Sequence, residues 1–279
     1  MALMTIDEAI HTLRNDPNHA DLVREAYLGP DVQDSAARFM ATGEFAQLMV
    51  LLGSRLVGGR VVDVGAGTGI ASYAFAKSGA AHVWAIEPDT SGEVGRGAMA
   101  RLVAGLPVDI INSFGEQMAL PDACADIVYA RQVLHHAHDL DAVLRECHRV
   151  LKPGGMFIAC REHVANTPEE LTAFLASHPV HQLAGGEHAF SLSQYLHAIQ
   201  SAGLTLQHVY RPLESVINAF PAIATEAERQ RIPRTRLEAK FGPLGALLAA
   251  VPWAQQKIWD KLSRTLPLGA MHTFVAIKP

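Results

Sequence analysis

Cysteine is scarce in this chain: Cys124, Cys147 and Cys160 are the only three among 279 residues. They are far apart, odd in number and form no C-x-x-C pair, which argues against both a disulfide framework and a thiolate metal site and matches a reducing cytoplasm. An excess of positive charge is also missing. The 23 Lys and Arg residues stand against 28 Asp and Glu, for a net charge of -5, so nothing draws the chain as a whole to nucleic acid or to an anionic membrane. Long apolar runs are missing too. The longest uncharged stretch, 241–256, is interrupted by Pro243 and Pro252 and falls short of the roughly 20 apolar residues that a spanning helix needs. The N-terminal MALMTIDEAIHTLRNDPNHA has acidic residues early and no basic segment followed by an apolar core, so no secretory signal is expected. These absences predict a soluble, cytoplasmic protein with neither a nucleic-acid partner nor a membrane-inserted segment.

What is present is enough apolar material, 49% of the chain, for one sizeable core with an accessory layer. Residues 1–56 read as helices: Ile6, Ile10 and Leu13 recur at helical spacing, and a second run covers 39–52. The breaks are Asp16-Pro17-Asn18 and Gly29-Pro30-Asp31. From residue 60 short buried runs alternate with helices, the pattern of a parallel sheet covered on both faces. Strands are expected at 60–64, 82–87, 108–112, 125–130, 156–161, 204–210 and 272–277. Helices are expected at 70–77, at 140–151 before the stop Pro153-Gly154-Gly155, and at 192–202 before Gly203. The expected organisation is an N-terminal helical cap (1–56) and a main domain (57–279) with insertions at about 164–190 and 211–271. The second insertion is too long for a plain connection and reads as helices separated by Pro221, Pro233, Pro243 and Pro252.

Chemistry concentrates first in Val61-Val62-Asp63-Val64-Gly65-Ala66-Gly67-Thr68-Gly69, a strand running into a glycine turn and then a helix. Glycines belong there because the backbone turns sharply and a ligand approaches it closely, where a Cβ would intrude. The helix start behind them offers unpaired N–H groups to an anionic group. The dinucleotide fingerprint G-x-G-x-x-G requires glycine at position 70, where this chain has Ile70, and no G-x-x-x-x-G-K-[ST] is present. A nicotinamide, flavin or nucleoside triphosphate is therefore disfavoured. Glu87 ends the second strand, 20 residues after Gly67, where a carboxylate can accept hydrogen bonds from both ribose hydroxyls of an adenosine.

With these pieces in order and at this spacing, VVDVGAGTG (61–69), AIEP (85–88), GEQMALPDACADIVYARQVLHH (115–136) and RVLKPGGMFIA (149–159), the chain resembles the class I S-adenosylmethionine-dependent methyltransferases. Within them it is similar to the broad group of ubiquinone- and menaquinone-biosynthesis-like small-molecule enzymes. The resemblance spans 60–161. It implies an α/β fold with a Rossmann-like sheet, mostly parallel with an antiparallel last strand, plus a helical cap, and it implies S-adenosyl-L-methionine as cofactor. By position, Asp63, Gly65, Ala66, Gly67, Thr68 and Gly69 would hold its methionine portion, and Glu87, with Pro88 beside it, its ribose. Gly115 and Glu116 would lie beside adenine, and Arg131 near the methionine end. The family commonly has an acidic residue just before the Gly-Glu pair; here it is Phe114, which is suited to stacking on adenine.

An in-line displacement at a sulfonium methyl needs alignment and, for a hydroxyl or amine acceptor, proton removal. Among fourteen histidines, His163 and then His188 are the candidate general bases, because ligands of open α/β sheets bind beyond the carboxyl ends of the strands. No metal site is expected at His135-His136: adjacent residues cannot share one helix face, and the Val-Leu-His-His tetrapeptide recurs in the family without a metal. The Asn/Asp-Pro-Pro-Tyr/Phe motif of many base and glutamine methylases is absent after the fourth strand, where Ala130-Arg131-Gln132-Val133 stands. A small organic O-, N- or C-acceptor is therefore preferred, enclosed by aromatic groups of the cap such as Phe174, Phe190, Phe220, Phe241, Trp253 and Trp259. The basic run from Arg229 to Lys240 followed by apolar 241–253 reads as a solvated helix and then a buried or oligomer-facing one, compatible with a homo-oligomer. A lipid-seeking surface is the other reading. Two further readings stay open: a cofactor-binding enzyme of the same fold that does not transfer the methyl (cyclase or carboxy-cofactor synthase type), and a nicotinamide-dependent oxidoreductase, which Ile70 opposes.

Overall fold

The computed structural model describes residues 3–263 and 271–279. Four helices come first: α1 (Ile6–Asn15), α2 (Ala20–Glu25), α3 (Val32–Met40) and α4 (Gly43–Leu52). α1 starts on a capping box in which Thr5 and Glu8 satisfy each other's backbone. The apolar run 39–52 is not one helix. Thr42 breaks it, its side chain accepting the Phe45 N–H at 3.0 Å, so that α4 starts afresh.

The sheet then builds from β1 (Arg60–Val64), α5 (Ile70–Lys77), β2 (His82–Ile86), α6 (Arg96–Leu102), β3 (Val108–Ile111), β4 (Ala125–Arg131), α7 (Leu140–Val150) and β5 (Leu151–His163). After β5 come α8 (Pro168–Ser177), α9 (Pro179–Ala184), α10 (Leu192–Ser201) and β6 (Thr205–Tyr210). The chain continues through α11 (Val216–Ala219), α12 (Glu226–Phe241), α13 (Pro243–Leu248) and α14 (Pro252–Ser263) to β7 (Met271–Ile277). The strand order is β3-β2-β1-β4-β5-β7-β6. The first five strands pair in parallel, and β7 is antiparallel to both β5 and β6, as the α/β reading with an antiparallel last strand requires. Pro153-Gly154-Gly155 lies inside β5 rather than in a plain stop: the Gly154 N–H donates to the Lys278 carbonyl at 2.8 Å.

Side-chain alternation divides the sheet between two cores. Val61, Ile127, Tyr129 and Ile158 face α5 and the N-terminal helices, together with Phe39 and Phe75. Val62, Val64, Val128 and Phe157 face α7 and α10, with Leu144 and Tyr195. β1 feeds β2 and β3 on one side, and the chain then returns to β4 on the other, so the order reverses between β1 and β4. Ligands bind at that switch point, beyond the strand carboxyl ends.

Both expected insertions leave from those same ends, after β5 and after β6, the latter running parallel to β5. The first is α8 and α9, tied back by a bridge between Val164 and Phe190. The second is α11 to α14; its expected tail, 264–270, lies outside the described residues. Pro233 does not separate helices as expected but sits inside α12, and Phe241 and Trp253 face solvent rather than enclosing a ligand. α1 joins the same side: the Met4 N–H donates to the Leu183 carbonyl of α9, Arg14 pairs with Glu93, and the Ser91 hydroxyl bonds to Asp7. No helix of the described residues is long and apolar enough to cross a membrane.

Candidate active site

The turn after β1 has three glycines in left-handed conformations, Gly65 (φ 64°), Gly67 (φ 54°) and Gly69 (φ 81°). They are glycines for two different reasons. A Cβ on Gly65 would lie 2.0 Å from a methyl of Val133, and one on Gly69 2.4 Å from Met99 Cγ, so the first and last let β4's following loop and α6 close on the turn. A Cβ on Gly67 would meet only the Val94 carbonyl, at 3.6 Å, so here the side of the turn is open. Gly69 then caps α5 with no side chain on its first amides.

Glu87 fastens this turn from below. Its Oε2 accepts the Gly67 N–H at 2.7 Å and its Oε1 the Asp89 N–H at 2.9 Å. Each oxygen retains a lone pair. Burial, opposed by those two amides, raises the Glu87 pKa. Asp63 lies deeper, 2% exposed, and accepts the Ser72 hydroxyl at 2.6 Å, tying β1 to α5. Burial pushes its pKa up to about 7, with the Ser72 hydrogen bond working the other way and the Glu87 charge adding to the rise.

A cavity of about 410 Å³ opens at the switch point. Of the residues expected to hold a cofactor, Gly65, Glu87, Pro88, Phe114, Gly115 and Glu116 line it. Phe114 stands at its edge, 61% exposed, and Glu116 braces the opposite wall by accepting the His138 N–H at 2.9 Å. Ala66, Gly67, Thr68, Gly69 and Asp63 form the turn and its support rather than the wall itself. The sequence reading missed Asp89, Gln132, Val133, His136 and His138, all of which line the cavity.

Arg131 does not reach it. As the last residue of β4 it shares the face of Tyr129, and its guanidinium binds Glu44 of α4 through Nε–Oε1 at 2.6 Å and Nη2–Oε2 at 3.1 Å. Tyr27 and Phe39 lie under it. Gln132, one residue on and at φ 53°, takes the place at the cavity. The shift of one position is the alternation of a strand.

His163 and His188 are also held away from the cavity. The His163 ring lies at the end of β5 against Phe174 of α8, with centroids 4.6 Å apart, and edge-on to His135. His188 packs on Phe190. The imidazoles that do line the cavity are His136 and His138. His135 and His136 sit on a 3-10 turn, Leu134–His136, where the helix-face restriction on neighbours does not hold, and their rings lie 4.2 Å apart. The His135 Nδ1 is 2.8 Å from Glu162, which also accepts the Val133 and His135 N–H groups. Burial disfavours a charge on His135, but Glu162 at Nδ1 and Glu187 facing Nε2 outweigh it and lift its pKa to about 9.

Residues 62–159 match a family model described as a methyltransferase domain. The chain is 28% identical over 135 residues to the ubiquinone biosynthesis O-methyltransferase of Rhizobium etli, covering 48% of this chain and 54% of that protein. It is 39% identical over 103 residues to a dimethylglycine N-methyltransferase of Parasynechococcus marenigrum, covering 36% of each. The chain thus spans about half the length, or less, of these two curated relatives. Among solved structures it resembles phosphoethanolamine N-methyltransferase 2 of Haemonchus contortus in complex with S-adenosyl-L-methionine, with a TM-score of 0.59, 17% identity, and coverage of 100% of this chain and 61% of that one. It also resembles the cyclase SpnF, with a TM-score of 0.52, 21% identity, and coverage of 84% and 80%.

Proposed function

We propose that this chain, whose residues 62–159 match a methyltransferase-domain family model, is a class I S-adenosylmethionine-dependent methyltransferase that transfers the cofactor's methyl group to an O-, N- or C-nucleophile of a small organic acceptor. The observation that carries the reading is Glu87. Its carboxylate faces the cavity with both oxygens anchored on backbone amides, one from the glycine turn and one from the next loop, so two acceptor positions are fixed in advance for a ribose diol. The open side of Gly67 provides the space that a Cβ would fill, and the uncapped start of α5 provides amides for a carboxylate.

When bound, S-adenosylmethionine supplies a methyl group on a sulfonium centre. The chain's own residues then have three tasks. Glu87 holds the ribose, Phe114 with Gly115 and Glu116 flanks the adenine, and Gly65 to Gly69 receive the methionine end. Asp63 sets the turn by holding α5 through Ser72. The two insertions, which leave from the strand carboxyl ends, and α1, which packs on α9, enclose the acceptor and exclude water.

The test is incubation with methyl-labelled S-adenosylmethionine and a panel of small phenols, amines and carbon acids. The expected result is S-adenosylhomocysteine released one for one with a labelled acceptor. Tight cofactor binding with no S-adenosylhomocysteine formed on any acceptor would overturn methyl transfer while leaving the cofactor site, the outcome that a cyclase on this fold makes worth distinguishing.

A further inference from the structure

The geometry points to a divalent transition-metal site formed by His135 Nε2, His136 Nε2 and Glu187 Oε2, at the edge of the cofactor cavity. One ligand atom from each of these three side chains lies within 4.8 Å of the other two. Glu187 is carried in from the loop after α9, and its side chain is 8% exposed. Its Oε2 is buried and has no hydrogen-bond partner among the described residues. The two imidazole nitrogens stand 3.6 and 3.7 Å from it, too far for hydrogen bonds. A tetrahedral ion with bonds of about 2.1 Å to N and O ligands needs ligand–ligand edges of about 3.4 Å, so both edges to Glu187 are already close to metal-bound spacing.

The surroundings are those of a metal ligand set. Glu162 accepts from His135 Nδ1 at 2.8 Å, which fixes Nδ1 as a donor and turns Nε2 toward Glu187, where a bound metal takes the place of the Nε2 proton. Glu162 is itself fixed by two backbone amides. His178 Nδ1 is also near Glu187, at 3.7 Å, but it receives the His181 N–H and is engaged. Two imidazoles and one carboxylate leave one position of a tetrahedron open, and His136 borders the cavity, so a water or an acceptor oxygen completes the shell. Two nitrogen ligands select Zn²⁺ or a neighbouring transition ion over Mg²⁺. The metal-free alternative is a protonated His135 paired with Glu162 at 2.8 Å and with Glu187 at 3.6 Å, and metal titration separates the two.

The experiment uses the full chain, stripped with EDTA, incubated with Zn²⁺ and kept free of S-adenosylmethionine, so that it stands apart from methyl transfer. Zn²⁺ content is measured after gel filtration, and Co²⁺ substitution is followed by visible absorption. About one Zn²⁺ per chain and the intense d–d bands of tetrahedral Co²⁺ are expected. Glu187→Gln and His136→Ala should each weaken Zn²⁺ binding by about tenfold or more, on the scale of lost metal-site groups, and His136→Cys, which keeps a ligand atom, should retain it. The His136 side chain is 42% exposed, so that variant tests the site without emptying the core. A native chain that retains no Zn²⁺, or a His136→Ala variant that retains as much as the native chain, overturns the site.

Discussion

Glu44 and Arg131, 87 residues apart, form a two-bond ion pair that fastens the N-terminal helices to the end of β4. Glu44 is 1% exposed, and Arg161 Nη1 lies 3.8 Å from it on the other side. Burial works against the Glu44 charge, but the two guanidinium groups outweigh it and lower its pKa. Removing the carboxylate leaves two buried cations facing each other. Glu44→Ala should therefore lower unfolding free energy by about 3–5 kcal/mol, measured by urea denaturation, with cofactor affinity largely kept. A loss no larger than that of an ordinary surface substitution would show that the pair does not hold the cap.

Glu87→Ala should weaken S-adenosylmethionine binding by about 1.5–3 kcal/mol, the range for hydrogen bonds to a charged group. Calorimetric titration reads it. Because Glu87 also supports Gly67 and Asp89, Glu87→Gln, which keeps an amide-accepting oxygen, should lose less. Equal dissociation constants for all three proteins would remove Glu87 from the site.

The glycines of the turn should separate by partner. Gly65→Ala puts its methyl onto Val133, so it should destabilise the fold, and Val133→Ala should recover part of that loss; the left-handed backbone costs about 1–2 kcal/mol in either background. Gly67→Ala bears the same left-handed backbone cost but has open space beside it, so it should cost the fold less than Gly65→Ala while weakening cofactor binding. Thermal unfolding and cofactor titration of the three variants check this, and a Gly65→Ala protein indifferent to Val133→Ala would contradict the contact.

These contrasts mark what local sequence encodes. β1, α5 and the glycine turn occupy the positions read from residues 60–77, because a buried β-branched run, a glycine cluster and a helical stripe are each specified within a few neighbours. Glu87 was found the same way. The partner of Arg131 was not, since nothing near residue 131 announces Glu44, and the choice between Arg131 and Gln132 at the cavity rests on which face one strand end presents. His135 and His136 converge on Glu187 only because a 3-10 turn and a distant loop meet, and the expectation of helix geometry at that place hid it. The single reading of 39–52 failed for a smaller reason: Thr42, followed by Gly43 and Glu44, caps a new helix between two apolar stretches.

The Asp63 carboxyl is 2% exposed and bonded to the Ser72 hydroxyl, and burial, more than the nearby Glu87 charge, pushes its pKa up to about 7. An unfolded aspartate titrates near 3.9. Between those values the native chain holds a proton that the unfolded chain has released, so the native state binds more protons and stability falls as pH rises. The contribution is fully present below the unfolded pKa and is lost as pH passes through about 7. Asp63→Asn keeps an oxygen for Ser72 and carries no charge at any pH, so it should lack this slope. At about 1.4 kcal/mol per unit of pKa difference, the native chain should lose ~2–3 kcal/mol more than Asp63→Asn on going from about pH 5 to 8. Urea unfolding of both proteins at the two pH values measures the difference. Parallel behaviour would mean that Asp63 is ionised in the native chain throughout, and that the turn after β1 rests on a charge rather than on a buried acid.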